Sequence, residues 1–146
     1  MGIDFYINYI INIFLCIILG FIIGYERKKS KHSAGIRTYT LIILGTYIFS
    51  IISDLINVNN PNIDPTRIIS AIIQGIGFIG SGIIFKHEKK SIISGITTAS
   101  LVWVAASIGG LIAINMRLLA IITVIFIEIF LYAIKKIPLY DEENKK

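Results

Sequence analysis

Cysteine and proline are almost missing from this 146-residue chain, and charge is thin. It holds one Cys, three Pro and one Trp, and 16% of its residues are charged. Cys16 stands alone in an apolar run, so no disulfide framework exists and no redox compartment follows. His32 and His87 lie in basic turns with no Cys or His at metal-ligand spacing, which leaves no zinc signature. A GxxxxGK[ST] phosphate loop is absent, which argues against ATP hydrolysis by the chain itself. No Lys or Arg precedes the first apolar run and no small-residue cleavage site follows it, so that run is not a cleavable leader. No catalytic constellation is found, and the expectation is a protein without enzymatic activity and without a resident cofactor.

What is present is apolar: 55% of the residues, with a mean hydropathy of +0.78. A soluble domain would carry about 25% charge. Five apolar runs, at about 5–25, 38–56, 67–86, 94–113 and 116–134, each approach the roughly 20 residues that cross a hydrocarbon core. The fold class expected is therefore all-α, a polytopic transmembrane bundle of about five spans over residues 1–137, with a short tail at 138–146. The net charge of +5 would suggest nucleic acid in a soluble protein. Here the basic residues cluster between the runs, the pattern that orients membrane proteins, so lipid rather than nucleic acid is the expected partner. Arg27, Lys28, Lys29, Lys31, Arg37, Lys86, Lys89, Lys90 and the tail lysines fall on one side, with Arg67 and Arg117 on the other. That places the amino terminus outside and the carboxyl terminus in the cytoplasm.

Small residues mark the helix contacts. Asn8, Asn12, Cys16, Gly20 and Gly24 recur every four residues on the first helix, and Gly20/Gly24 form a GxxxG pair. That face reads as a packing seam or, on a sharper reading, puts Asn8 and Asn12 on a polar pathway. The third run carries Gly75, Gly77, Gly80, Ser81 and Gly82, and is expected to be the central helix, its bare backbone meeting its neighbours. Gly75-Ile-Gly-Phe-Ile-Gly80 mimics GxGxxG but has no preceding strand, so it carries no dinucleotide signal. The fourth run is rich in Ala, Ser, Thr and Gly, as a helix among helices should be; the fifth is bulky and lipid-facing. Asp64-Pro65 makes a good helix start, and Arg67 in the first turn needs an acidic partner, Asp64 or Asp54 being nearest.

Polar groups inside lipid are costly and point to function. Arg67, Ser70, Gln74, Gly77 and Ser81 share one face of the third helix, and Thr97, Thr98, Ser100 and Trp103 enter the fourth from its cytoplasmic end. Glu26 sits at a membrane boundary, and Glu128 lies inside the fifth helix, where it is either paired to a Lys or Arg or protonated. A cation path would need converging oxygen ligands, for which Asp54, Asp64, Gln74 and the threonines are candidates.

Gly24-Tyr-Glu-Arg27, Ser33-Ala-Gly-Ile-Arg-Thr38, Asp64-Pro-Thr-Arg67, Gly75-Ile-Gly-Phe-Ile-Gly-Ser-Gly82 and Gly95-Ile-Thr-Thr-Ala-Ser-Leu-Val-Trp103, in this order and spacing, closely resemble the MgtC/SapB membrane proteins. The resemblance implies a multi-pass protein of the bacterial or archaeal cytoplasmic membrane, adaptation to low magnesium and, in some members, virulence and restraint of the F-type ATP synthase. It carries motif roles to Glu26, Arg27, Gly35, Arg37, Asp64, Arg67, Gly77, Gly80, Gly82, Thr97, Thr98 and Trp103. Longer family members append a soluble domain after the last span; this chain ends soon after its own, as in the short, SapB-like forms, which puts functions of that domain in doubt. Two classes of function stay open: a regulatory protein that contacts another membrane complex, and a carrier or channel for Mg²⁺ or a small solute, acting as a homo-oligomer.

Overall fold

The computed structural model describes residues 2–30, 32–59, 64, 66–86 and 93–136. Among the described residues five helices follow in order: α1 (Ile3–Lys29), α2 (Ile36–Asn59), α3 (Thr66–Ser81), α4 (Ile96–Ala113) and α5 (Arg117–Lys135). Four of them are long and apolar enough to cross a membrane, and α3 is shorter. The all-α membrane bundle expected from the apolar runs is thus present.

Side-chain contacts fix how the helices run. Gly20 and Gly24 lie against Thr40 and Ile36, so α2 returns antiparallel along α1. Arg27 in the last turn of α1 reaches Thr98 in the first turn of α4. Arg117 at the start of α5 bonds Asn8 and Asn12 near the start of α1, while Lys135 at its end meets Glu26 near the end of α1. Helices α1 and α5 therefore run parallel. One end of the bundle gathers Arg27, Lys28, Lys29, Arg37, Lys86, Lys135 and Lys136; Arg67 and Arg117 belong to the other.

The centre is α4, not α3. Nine positions of α4 are buried, Thr98, Leu101, Val102, Ala105, Ala106, Ile108, Gly109, Ile112 and Ala113, against only Ile76 and Gly80 on α3. The reason is steric. A Cβ on Gly109 would stand 2.3 Å from the Ile43 carbonyl oxygen, so α2 and α4 touch through bare backbone there. A Cβ on Gly75 or Gly77 would meet nothing within 4 Å, and one on Gly80 only an ordinary contact with Ala99 at 3.7 Å. The central role expected of the glycine-rich stretch is corrected accordingly. Helix α5 buries only Ala120 and Val124 and shows Phe126 and Phe130 outward, as its bulky composition implies.

The third apolar run does not stay helical to residue 86. It unwinds at Gly82, where turn hydrogen bonds from Ile83 to Gly80 and Ile84 to Ser81 replace the helical ladder. Phe85–Lys86 (β1) then pairs antiparallel with Ile93–Ser94 (β2), Phe85 opposite Ser94. Gly95 requires this arrangement: its φ is +91°, and a Cβ would stand 2.2 Å from the Ile83 carbonyl oxygen. At 16 residues α3 spans only about 24 Å, short of a hydrocarbon core. Between α4 and α5 the chain turns in three residues, Ile114 to Met116, with Asn115 left-handed (φ 61°), a conformation Asn tolerates.

Candidate functional site

The most unusual chemistry gathers where α1, α2, α4 and α5 meet at the basic end. Arg27 follows from the seam logic of α1: counted in fours from Cys16, Gly20 and Gly24, its neighbourhood faces the bundle, and its side chain is 1% exposed. Burying a guanidinium is costly unless it is bonded. Its Nη2 donates to Thr98 Oγ1 at 3.1 Å, and its Nη1 stands 4.0 Å from Glu26 Oε2. Glu26 Oε1 accepts from Ser30 Oγ at 3.0 Å and from Lys135 Nζ, which also reaches Ser30. Tyr39 of α2 is fully buried beside them. Glu128 of α5 lies within electrostatic reach of Glu26, Lys135 and Arg27 without a bond to any of them.

Among the described residues, four buried atoms in this cluster lack a hydrogen bond of good geometry: Glu26 Oε2, Arg27 Nε, Tyr39 Oη and Glu128 Oε1, the Tyr39 hydroxyl lying near the Arg27 guanidinium. Buried polar groups are normally satisfied, so four unmet atoms at one end of the bundle set this cluster apart from the rest of the core. With Arg27 and Lys135 balancing the two carboxylates, the cluster is poorly suited to a bare metal ion. Among the described residues no group of three or more His, Cys, Asp and Glu could hold one. His32 flanks the cluster, and burial together with the Arg27 charge holds its imidazole below its ordinary range, so it is neutral near pH 7.

The other expected site residues disperse. Thr97 is exposed beside buried Thr98. Arg37 and Arg67 both line a groove of about 950 Å³ between α2 and α3, which Gly75 also borders. Gln74 is exposed on α3, as are Arg67, Ser70, Gly77 and Ser81. Asp64 starts α3 as expected, its Oδ1 accepting from the Thr66 N–H at 2.9 Å and the Thr66 hydroxyl at 2.7 Å, which holds its carboxyl below the usual range. The acidic partner expected for Arg67 is not there: among the described residues it forms no ion pair, and Asp64 is turned to Thr66 instead. Gly82 lies at the unwinding of α3 rather than in a helix contact, and Gly35 in the turn before α2. Trp103 lines a separate cavity among α2, α3 and α4.

Several participants were not singled out by pattern. Tyr39 and Lys135 enter the Arg27 cluster from helices that look uniformly apolar, and Gly109 sits in a run without a GxxxG pair. Asn8 and Asn12 prove to be the receptors of Arg117, whose Nε and Nη2 each donate to an amide oxygen at 2.7 Å. The fourfold spacing of those asparagines was the available signal; their partner, more than a hundred positions later, was invisible locally.

An apolar helical bundle with Arg27 buried and bonded to Thr98 beside Glu26 defines a multi-pass membrane protein. The model of the MgtC family matches residues 13–139, and the chain belongs to that family. YhiD of Escherichia coli K12, named provisionally as a magnesium transporter, is 36% identical over 132 residues, 84% of this chain and 60% of that protein. Protein MgtC of Brucella abortus is 36% identical over 110 residues, 75% of this chain and 44% of its own length. An uncharacterised Haemophilus influenzae protein is 38% identical over 101 residues, covering 65% and 42% respectively. The chain thus spans between about two fifths and three fifths of these relatives. No solved structure matches.

Proposed function

We propose that this protein serves magnesium homeostasis in the cytoplasmic membrane without catalysing a reaction, and that it does so through contact with another membrane complex such as the F-type ATP synthase or a transporter. The observation that carries this reading is the outer face of α3. Arg67, Ser70, Gln74, Gly77 and Ser81 are all exposed there, and no neighbour within the chain lies within 4 Å of a Cβ at Gly77. Arg27 and Arg117, by contrast, are bonded within the bundle, Arg27 to Thr98 and Arg117 to Asn8 and Asn12. Leaving Gln74 and Arg67 toward lipid is costly, and a polar face with bare backbone at its middle is suited to a partner helix. The family and the provisional naming of one relative for magnesium support the physiological assignment. In this reading the basic end faces the cytoplasm, with the amino terminus outside. A photo-crosslinker at position 74, activated in native membranes, should yield a discrete adduct with another membrane protein. Adducts with lipid alone would remove the reading.

A second reading is favoured by the α2–α3 groove, which Arg37 and Arg67 line. Here the chain conducts Mg²⁺ or a small solute itself, two or more copies closing their grooves on one another. Reconstituted vesicles that show no flux would exclude it.

A further inference from the structure

A cavity of about 440 Å³ lies among α2, α3 and α4, in the half of the bundle away from the Arg27 cluster. Its size falls in the range of small-ligand sites, which are mostly apolar with a few placed polar groups. That is its composition. Helix α3 contributes isoleucines such as Ile72 and Ile73, α4 contributes Trp103, and α2 contributes Thr46, Ser50 and Asp54 at steps of four. Thr46 and Ser50 are 7% and 8% exposed, yet neither hydroxyl bonds to another described residue. Two unpartnered hydroxyls in the membrane interior, both lining one cavity, are unexplained by packing. Among the described residues Asp54, at the end of this stripe, forms no ion pair, and no Lys or Arg lines the cavity.

We propose that this cavity binds a small organic ammonium ion. The single charge on its lining is negative, which disfavours an anion. Asp54 would pair with the ammonium group, and the Thr46 and Ser50 oxygens would accept N–H bonds. Trp103, half-exposed, lines the same cavity and brings an aromatic ring near the cation, and the isoleucines would cover its methylenes. Mg²⁺ fits less well: it demands near-octahedral oxygen coordination, and one carboxylate with a few hydroxyls falls short of that set. The inference is independent of which partner α3 engages.

Trp103 is the only tryptophan, so its emission reports on the cavity directly. The full chain in zwitterionic nanodiscs is titrated with n-butylammonium, with 1-butanol as the uncharged control, and with Mg²⁺ alone. A saturable emission change with n-butylammonium is expected, with no saturable response to 1-butanol. Asp54→Asn, at an exposed position that tolerates the change, should weaken the midpoint about tenfold through loss of the charge-assisted bond. Ser50→Ala should weaken it less, and Asp4→Asn, a carboxylate at the same end but outside the cavity, should leave it unchanged. No saturable change in the wild type, an unaltered midpoint in Asp54→Asn, or a response to Mg²⁺ at equal or lower concentration would overturn the proposal.

Discussion

The same residue does opposite things on two sides of this molecule. At Gly20 and Gly24 of α1 and Gly109 of α4, glycine is where helices touch: a Cβ there would stand 2.4, 2.3 or 2.3 Å from the backbone of α2. On α3, Gly75 and Gly77 touch nothing in the chain. Arginine divides the same way, Arg27 buried and bonded, Arg67 exposed and, among the described residues, without an ion pair. Small and polar residues in a membrane helix thus announce contact, but not with whom. Around α4 the contact is made within the chain; on α3 it is left open.

The largest contrast should be between the two arginines. Arg27→Met strips a buried cluster of its guanidinium and leaves Glu26 and Thr98 short of a partner, a loss of about 3–5 kcal/mol. Arg67→Met should change stability by no more than about 0.5 kcal/mol, as exposed positions do. Thermal unfolding in detergent, followed by helical circular dichroism, compares them. Next, Asn12→Leu removes an acceptor of Arg117 and should cost about 1.5–3 kcal/mol in the same measurement. Gln74→Leu should leave the isolated chain's melting essentially where it was. If both asparagine and glutamine variants melt alike, the division between a closed and an open side fails.

The smallest effect is on pH. Because burial and Arg27 hold His32 below its ordinary value of 6.5, the unfolded chain takes up that proton first. Stability is then unaffected by this group above about pH 6.5 and declines as pH falls below it. Melting at pH 7.5 and 5.5 should differ more for the wild type than for His32→Gln.

How far the sequence could be read follows the same division. The five apolar runs, the buried character of α4 and the lipid-facing character of α5 were legible, because composition alone reflects whether a helix meets lipid or other helices. The Gly20/Gly24 seam was legible from its fourfold spacing. The position of α3 was not. Its glycines promise closeness as strongly as those of α1, and only three-dimensional placement tells an internal contact from an external one. Its helix is also shorter than hydropathy implies, because Gly82 and Gly95 let the chain unwind into the β1–β2 pair, and the apolar residues Ile83, Ile84 and Phe85 continue the hydrophobic run past the helix end. Of the site, Glu26, Arg27 and Thr98 were marked by motif resemblance, whereas Tyr39 and Lys135 join them only because α2 and α5 return to the same end.

One paired measurement reaches the core of this account: the melting temperatures of Gly24→Ala and Gly77→Ala in the purified chain. Where space is open, exchanging a mid-helix glycine for alanine stabilises by up to about 1 kcal/mol, and where backbone already occupies that space it destabilises by about 1–3 kcal/mol. The account predicts shifts of opposite sign, downward for Gly24→Ala and upward or nil for Gly77→Ala. A clear fall for Gly77→Ala, matching that of Gly24→Ala, would contradict it.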